Sequence, residues 1–445
     1  MAGPATATAG NPVMELLAKR PMSRQQIVAV AISVALNALD GFDVLAITFA
    51  APWITKAWGI GPAQLGIALS SGLVGMSVGS LALAPFGDRF GRRPLILICL
   101  ALMAAGMMLT ATATEMVMLC LWRVITGIGI GGMVATINAV ASEFANERRR
   151  DLSVALMTIG LPLGGLIGGF AAAELVVANG WQSIFIAGGV ATALFIPVVW
   201  FALPESLEFL SQRGTPAARR QIDLMLARMK HPPLAPDAVL VPAPVSRGSF
   251  VELLGPRFRT VTLLLVAAYF LHMTTFYFFS GWLPKFLTDI GHSTPEAIRS
   301  SALMSLGGVV GGSVFGWIAP RFGLTRLVVI AMMGTTLTFV VFGQVVGLPA
   351  LQLMAFLAGI CVFSGTVGLY ALIARSFPSE LRVTGTGVAI GVGRGGSVLG
   401  PVIGGFLIQS GTSIALAIAI VGAGATIAAG LLLLLRRRQG AATIA

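Results

Sequence analysis

Runs of about 20 apolar residues recur along nearly the whole chain, each closed by a short polar or charged turn. That is the length an α-helix needs to cross a bilayer, and about twelve such runs are present. Nothing else in the sequence restricts the fold as much. In hydrocarbon the backbone must satisfy its own hydrogen bonds, so apolar segments this long read as helices. Only 10% of the residues are charged, against roughly 25% in soluble domains. The spans read as 25–50, 62–85, 94–113, 117–140, 152–177 and 182–203, then 259–285, 297–319, 326–347, 349–374, 384–408 and 411–435.

Residues 204–257 form the longest polar interval and divide six spans from six. The expected organisation is an N-terminal segment (1–24), a six-helix bundle (25–203), a central loop (204–257), a second six-helix bundle (258–435) and a tail (436–445). Within the loop, residues 215–230 space Ile222, Leu224, Leu226 and Met229 among basic residues, which predicts a helix lying along the membrane face. Of the 29 Lys and Arg, 24 lie in the N-terminus, the C-terminus and the loops on their side. The loops opposite hold Lys56, Lys285 and Arg299, and the last two cations, Arg123 and Arg394, sit inside spans. Positive charge collects on the cytoplasmic side, so both termini are expected there. The same placement explains the formal net charge of +12 without a nucleic-acid partner. No apolar core followed by a cleavage site appears in residues 1–24. Cys99, Cys120 and Cys361 all lie in apolar segments with no metal spacing, so neither disulfides nor a metal site is expected.

The first span carries Asp40 and Asp43, three residues apart. An Asp at the centre of a membrane helix costs roughly 2.5–3.5 kcal/mol on insertion scales, and such residues usually mark an ion or substrate path. A paired structural charge is the alternative. The two halves also echo each other: Gly87-Asp88-Arg89-Phe90-Gly91-Arg92-Arg93 follows the second span, and Pro320-Arg321-Phe322-Gly323-Leu324-Thr325-Arg326 follows the eighth. An internal repeat of this kind marks a two-bundle transporter.

Ala84-Pro85-Phe86-Gly87-Asp88-Arg89-Phe90-Gly91-Arg92-Arg93 resembles the loop motif of the major facilitator superfamily, with Ala84 at its usual first Gly. Arg123-Val124-Ile125-Thr126-Gly127-Ile128-Gly129-Ile130-Gly131 resembles that superfamily's fourth-helix motif. The resemblance implies an all-α membrane protein with twelve transmembrane helices in two six-helix bundles. Asp40-Gly41-Phe42-Asp43 resembles, more narrowly, the first-helix signature of the aromatic acid:proton symporters; Glu143, Pro204-Glu205-Ser206 and Gly393-Arg394-Gly395 also sit where similar proteins carry them. Two departures stand out. Pro320 replaces the Asp often found in the second loop copy, and the Gly-rich fifth span lacks the Gly-Pro of drug antiporters.

A helical rise of about 1.5 Å per residue puts Asp40 and Asp43 near mid-membrane, about 60° apart on one face that Asn37 extends. Arg123 falls at similar depth, so a pair between Arg123 and Asp43 or Asp40 is expected. The proton-coupling residues are read as Asp40, Asp43 and Arg123, with Asp43 ahead of Asp40; a permanently ionised structural pair is the alternative. Arg394, flanked by glycines near the midplane, offers a planar fork for a carboxylate. His272, Phe276 and Tyr277 of the seventh span, with Asn37, complete the expected substrate site, against plain aromatic packing. Asp88, Arg89, Arg92, Arg93, Glu143 and Arg382, with Glu380, are expected to meet at the cytoplasmic mouth as a charge latch.

These readings converge on a symporter importing a small aromatic carboxylate with protons by alternating access, a monomer in the bacterial inner membrane, with no cofactor and no enzymatic activity. The substrate class rests on the resemblance. An organic-anion or drug efflux antiporter of the same fold, a transporter-like sensor and a membrane enzyme are the alternatives.

Overall fold

The structure, a computed structural model, describes residues 11–235, 250–378 and 381–442. Pro242, Glu380 and the first ten residues of the chain lie outside them. Twelve of its helices are long and apolar enough to cross a membrane. In the first half these are α2 (Arg24–Trp58), α3 (Pro62–Ala82, continued by the short α4, Ala84–Phe90), α5 (Arg92–Ala111), α6 (Met116–Phe144), α7 (Arg150–Asn179) and α8 (Gln182–Ala202). A short α1 (Pro12–Lys19) precedes them, and α9 (Leu207–Arg213), α10 (Pro216–Arg228) and α11 (Phe250–Leu253) follow. The second half comprises α12 (Arg259–Asp289), α13 (Thr294–Phe322), α14 (Leu324–Phe342), α15 (Leu348–Arg375), the pair α16 (Arg382–Gly393) and α17 (Gly395–Gln409) that together make one span, and α18 (Ile414–Ala442).

Local signals set the helix ends. At the start of α2, the Ser23 hydroxyl accepts from the Gln26 amide while the Gln26 side chain accepts from the Ser23 amide, a closed capping box. Its other end stops at Gly59, whose φ of 61° suits glycine best. As a result α2 runs eight residues beyond its expected end at residue 50, and α18 likewise runs past 435.

Glycines let helices touch backbone to backbone. A Cβ at Gly75 or Gly79 of α3 would lie 2.1 Å from the carbonyl oxygens of Val124 or Ile128 on α6, and one at Gly127 2.0 Å from that of Gly72. Gly131 meets Met76 in the same seam, whereas Gly129 faces α5 at Cys99 and Met103. The alternating glycines of 127–131 therefore serve two neighbours at once. The second half repeats the seam between α13 and α15, where Gly307 and Gly311 meet Phe356 and Ile360.

The halves meet through α3 against α17, α7 against α13 and α2 against α12. Among the described residues, the polar contacts between halves lie toward the end of the molecule remote from the termini. There Arg299 Nη2 reaches Glu174 Oε1 at 2.5 Å, Gln409 accepts from the Ala63 amide at 3.1 Å, and Ser70 donates to Val398 O at 2.7 Å. A buried apolar cluster crosses between the halves at that end, joining Phe49, Leu69 and Val176 to Phe278, Trp282 and Ile298. At the opposite end a second cluster belongs to the first half and takes in α1, α9 and α10 through Val13, Leu17, Leu210 and Ile222.

The helix expected over 215–230 is α10, but its buried stripe is Ala218, Ile222, Met225 and Leu226, with Met229 beyond its end. Leu224 is 62% exposed. It stands two residues from Ile222, about 200° around a helix, which puts it on the opposite face.

Candidate functional site

Midway along the helices, where the halves meet, lies a cleft with about 450 Å³ of atom-free space, its open mouth included. The first half supplies Gly41, Val44 and Leu45 from α2 and Leu161 and Pro162 from α7. The second supplies Phe276, Tyr277 and Ser280 from α12, Ser301, Met304 and Ser305 from α13, and Phe363 from α15. Phe276 packs edge-on against Phe363 at 5.0 Å between centroids and lies 4.9 Å from Tyr277. The wall is largely apolar and aromatic, with hydroxyls at its α13 side.

Arg394 sits at the junction of α16 and α17, where the chain tightens by one bond: Ser397 N donates to Arg394 O at 2.9 Å. Tyr370, Tyr269 and Tyr277 lie within electrostatic reach of its guanidinium. The chain has three tyrosines, so all of them gather here. The Tyr269 hydroxyl donates to that of Tyr370 at 3.1 Å, and Tyr277 belongs both to this cluster and to the cleft wall. Of the flanking glycines, Gly393 and Gly396 serve packing on α12, meeting Tyr269 and the Phe270 carbonyl, while Gly391 faces open space.

Arg394 is linked to the cleft through Tyr277 and is not among its lining residues, and two other expected substrate residues are elsewhere. Asn37 donates to Met157 O at 2.5 Å and ties α2 to α7. His272 is fully buried, with Nε2 2.9 Å from the Thr366 hydroxyl and its ring against Gly365. Neither lines the cleft, because a helical face read from one sequence does not reveal which neighbour it meets.

Asp40 and Asp43 are fully buried on the side of α2 turned into the first half, and their four carboxylate oxygens have no hydrogen-bond partner. Arg123 is 1% exposed and does come to Asp43, but not to its carboxylate: Nη2 donates to the Asp43 backbone carbonyl at 2.7 Å, and Nη1 to Met107 Sδ at 3.4 Å. The expected side-chain ion pair is thus replaced by a main-chain bond. The Asp43 carboxylate points instead toward Gly188 on α8. A small void is lined by Val44, Leu69, Gly72, Met76 and Arg123, and Val44 borders both it and the cleft.

A sequence model of the Major Facilitator Superfamily matches residues 32–343 and 301–444. The chain belongs to the Major Facilitator Superfamily. A gallate transporter of Pseudomonas putida is 31% identical, over 92% of each chain. The 4-hydroxybenzoate transporter PcaK of the same organism is 32% identical over 87% of each. Among solved structures, the xylose transporter XylE from E. coli in a partially occluded inward-open conformation superposes with a TM-score of 0.73 at 17% identity, over 92% of this chain and 98% of that one. A bacterial homologue of the human lysosomal transporter Spinster gives 0.71 at 16% identity, over 93% and 96%. The fold is the twelve-helix fold of the superfamily, and the chain is an integral membrane transporter.

The superfamily's loop motif forms a polar knot under the first half. Asp88 pairs with Arg92 at 2.6 Å, and Arg92 Nε lies 3.5 Å from Glu143. Glu205 accepts from the amides of Arg92 at 2.8 Å and Arg93 at 3.3 Å, and Ser206 donates to Glu143. Arg93 turns to Trp200 and Arg89 to Phe90, both stacking on rings. Arg382 is exposed on α16 and does not join the knot. The expected gate set is therefore divided: Arg92 meets both Asp88 and Glu143, and Glu205 and Ser206 complete the knot.

Tyr269, Tyr370, Phe363 and the three cleft serines were not singled out from sequence. Serines inside apolar helices carry no period of their own; the rarity of tyrosine was the available signal.

Proposed function

We propose that the chain imports a small aromatic carboxylate together with protons across a bacterial inner membrane, with both termini in the cytoplasm. The observation that carries the reading is Arg394 beside an aromatic cleft at the level where the halves meet. A planar cation offers paired donors to a carboxylate, and the Phe276, Tyr277 and Phe363 wall offers an apolar, stacking surface to a ring. The names of the relatives support the substrate class, since they transport gallate and 4-hydroxybenzoate, and a further relative in Escherichia coli transports 3-(3-hydroxyphenyl)propionate. The basic residues on the termini side support the orientation. With that orientation, contacts between the halves gathered toward the outer end suit an inward-facing carrier, one of the two states that alternating access requires.

Asp40 and Asp43 suit the coupling role because a bare carboxylate without a donor is costly in an apolar interior, whereas a neutral acid is not. Each passage must then bring either a proton or Arg123 to the acid. The pair stands off the cleft, so coupling runs through α2, which shows Gly41 and Val44 to the substrate and the acids to the bundle.

Uptake of labelled 4-hydroxybenzoate into vesicles tests this. The parent should accumulate substrate against a gradient until a protonophore is added. Asp43→Asn should lose accumulation while retaining exchange of substrate down its gradient. Undiminished uphill uptake by that variant would remove the acid pair from the proton path.

A further inference from the structure

The cleft has two chemically different ends. Tyr277 marks the end nearer Arg394, which lies outside the lining itself; Ser280 marks the other, one helical turn along α12 and about 4.5 Å farther from the termini. Ser301 and Ser305 enter at that end from α13. Ser305 is satisfied, its hydroxyl donating to Ser301 O at 3.2 Å. Ser301 is only 4% exposed, and its Oγ has no hydrogen-bond partner although the residue lines the cleft. Around it the wall is apolar: Leu45, Met304, Phe276 and Phe363.

We propose that Ser301, with Ser280 of the neighbouring α12, reads a hydroxyl on the substrate ring at the end opposite its carboxylate, so that the carrier selects hydroxylated over unsubstituted aromatic acids. This rests on the reading of the chain as an aromatic-acid carrier. A buried hydroxyl left without a partner is costly. An unsubstituted ring edge against Ser301 strands that hydroxyl and excludes the water that would otherwise satisfy it. A ring hydroxyl both accepts from Ser301 and donates to a neighbouring serine. Sites built to bond a substrate hydroxyl discriminate strongly against the analogue lacking it, whereas apolar pockets do so weakly.

The test is binding of 4-hydroxybenzoate and of benzoate to the purified full-length protein and to Ser301→Ala. The parent should prefer the hydroxylated acid on the order of 10- to 100-fold. In Ser301→Ala the ratio should fall toward unity through weaker binding of 4-hydroxybenzoate, with benzoate held as well as before; Ser301→Thr, which keeps a hydroxyl, should retain a preference. An unchanged ratio, or equal loss for both acids, overturns the assignment. Ser280→Ala leaves α13 untouched and carries the same comparison if Ser301→Ala does not fold. Binding of neither acid by the folded parent is a separate result, which overturns the aromatic-acid reading itself.

Discussion

A methyl group at position 41 would sit 2.0 Å from the carbonyl oxygen of Leu161. Gly41 lies between the two acids, so its smallness lets α2 lean on α7 while the carboxylates turn away from the cleft. Gly41→Ala should cost about 1–3 kcal/mol, the usual penalty for overpacking a close-packed site, read as a lowered unfolding temperature in detergent. Gly316 on α13 meets nothing within 4 Å, and Gly316→Ala should leave that temperature near or above the parent's, since alanine is the better helix former. At this scale the sequence was legible in depth and not in direction. Counting along helices put Arg123 level with Asp43 and Arg394 at the midplane. The rotation of each helix against its neighbours decides what a side chain meets, and it turned Arg123 to a backbone carbonyl, Asn37 to Met157 and His272 to Thr366.

Elements of the loop and the N-terminus cap the first half. Asn11 on the N-terminal side of α1 donates to Ser211 of α9 at 2.5 Å, Asn146 holds Arg20 O at 2.9 Å, and Gln26 donates to Phe144 O at 2.9 Å. His231, just past α10, lies 3.3 Å from the same Gln26. Burial, and secondly the nearby Arg20, hold its imidazole below the ordinary value of 6.5. A base held low binds fewer protons folded than unfolded. Its contribution to docking is thus fully present above pH 6.5 and is lost as pH falls below that value. Hydrogen exchange of the α10 segment, corrected for intrinsic rates, should show protection weakening as pH drops below 6.5, and His231→Gln should flatten the dependence. The long helices were legible because twenty apolar residues leave one outcome in a membrane. Of the cap, α10 was legible from its spacing and α1 was not, since α1 has eight residues and buries only Val13 and Leu17, too little periodicity to separate from a tail.

Across the whole molecule, closure of the outer end rests on apolar contact more than on charge. Glu174 and Arg299 are 72% and 45% exposed, and an exposed ion pair contributes about 1 kcal/mol or less. Beneath it Gly169 meets Ala302, and a Cβ there would lie 2.9 Å from the alanine methyl. Spin labels at Val177 and Ile290, both exposed at that end, should report a small change in distance for Glu174→Gln and a shift toward a separated state for Gly169→Leu. Equal effects would assign closure to the ion pair instead. The gathering of every tyrosine around Arg394 gives the protein a built-in reporter. If fluorotyrosine is incorporated during synthesis, each fluorine resonance of the 445-residue chain arises from the cluster around Arg394. On the proposed function, ligand arrival and the switch between states then become visible at that cluster, with no engineered label to disturb it.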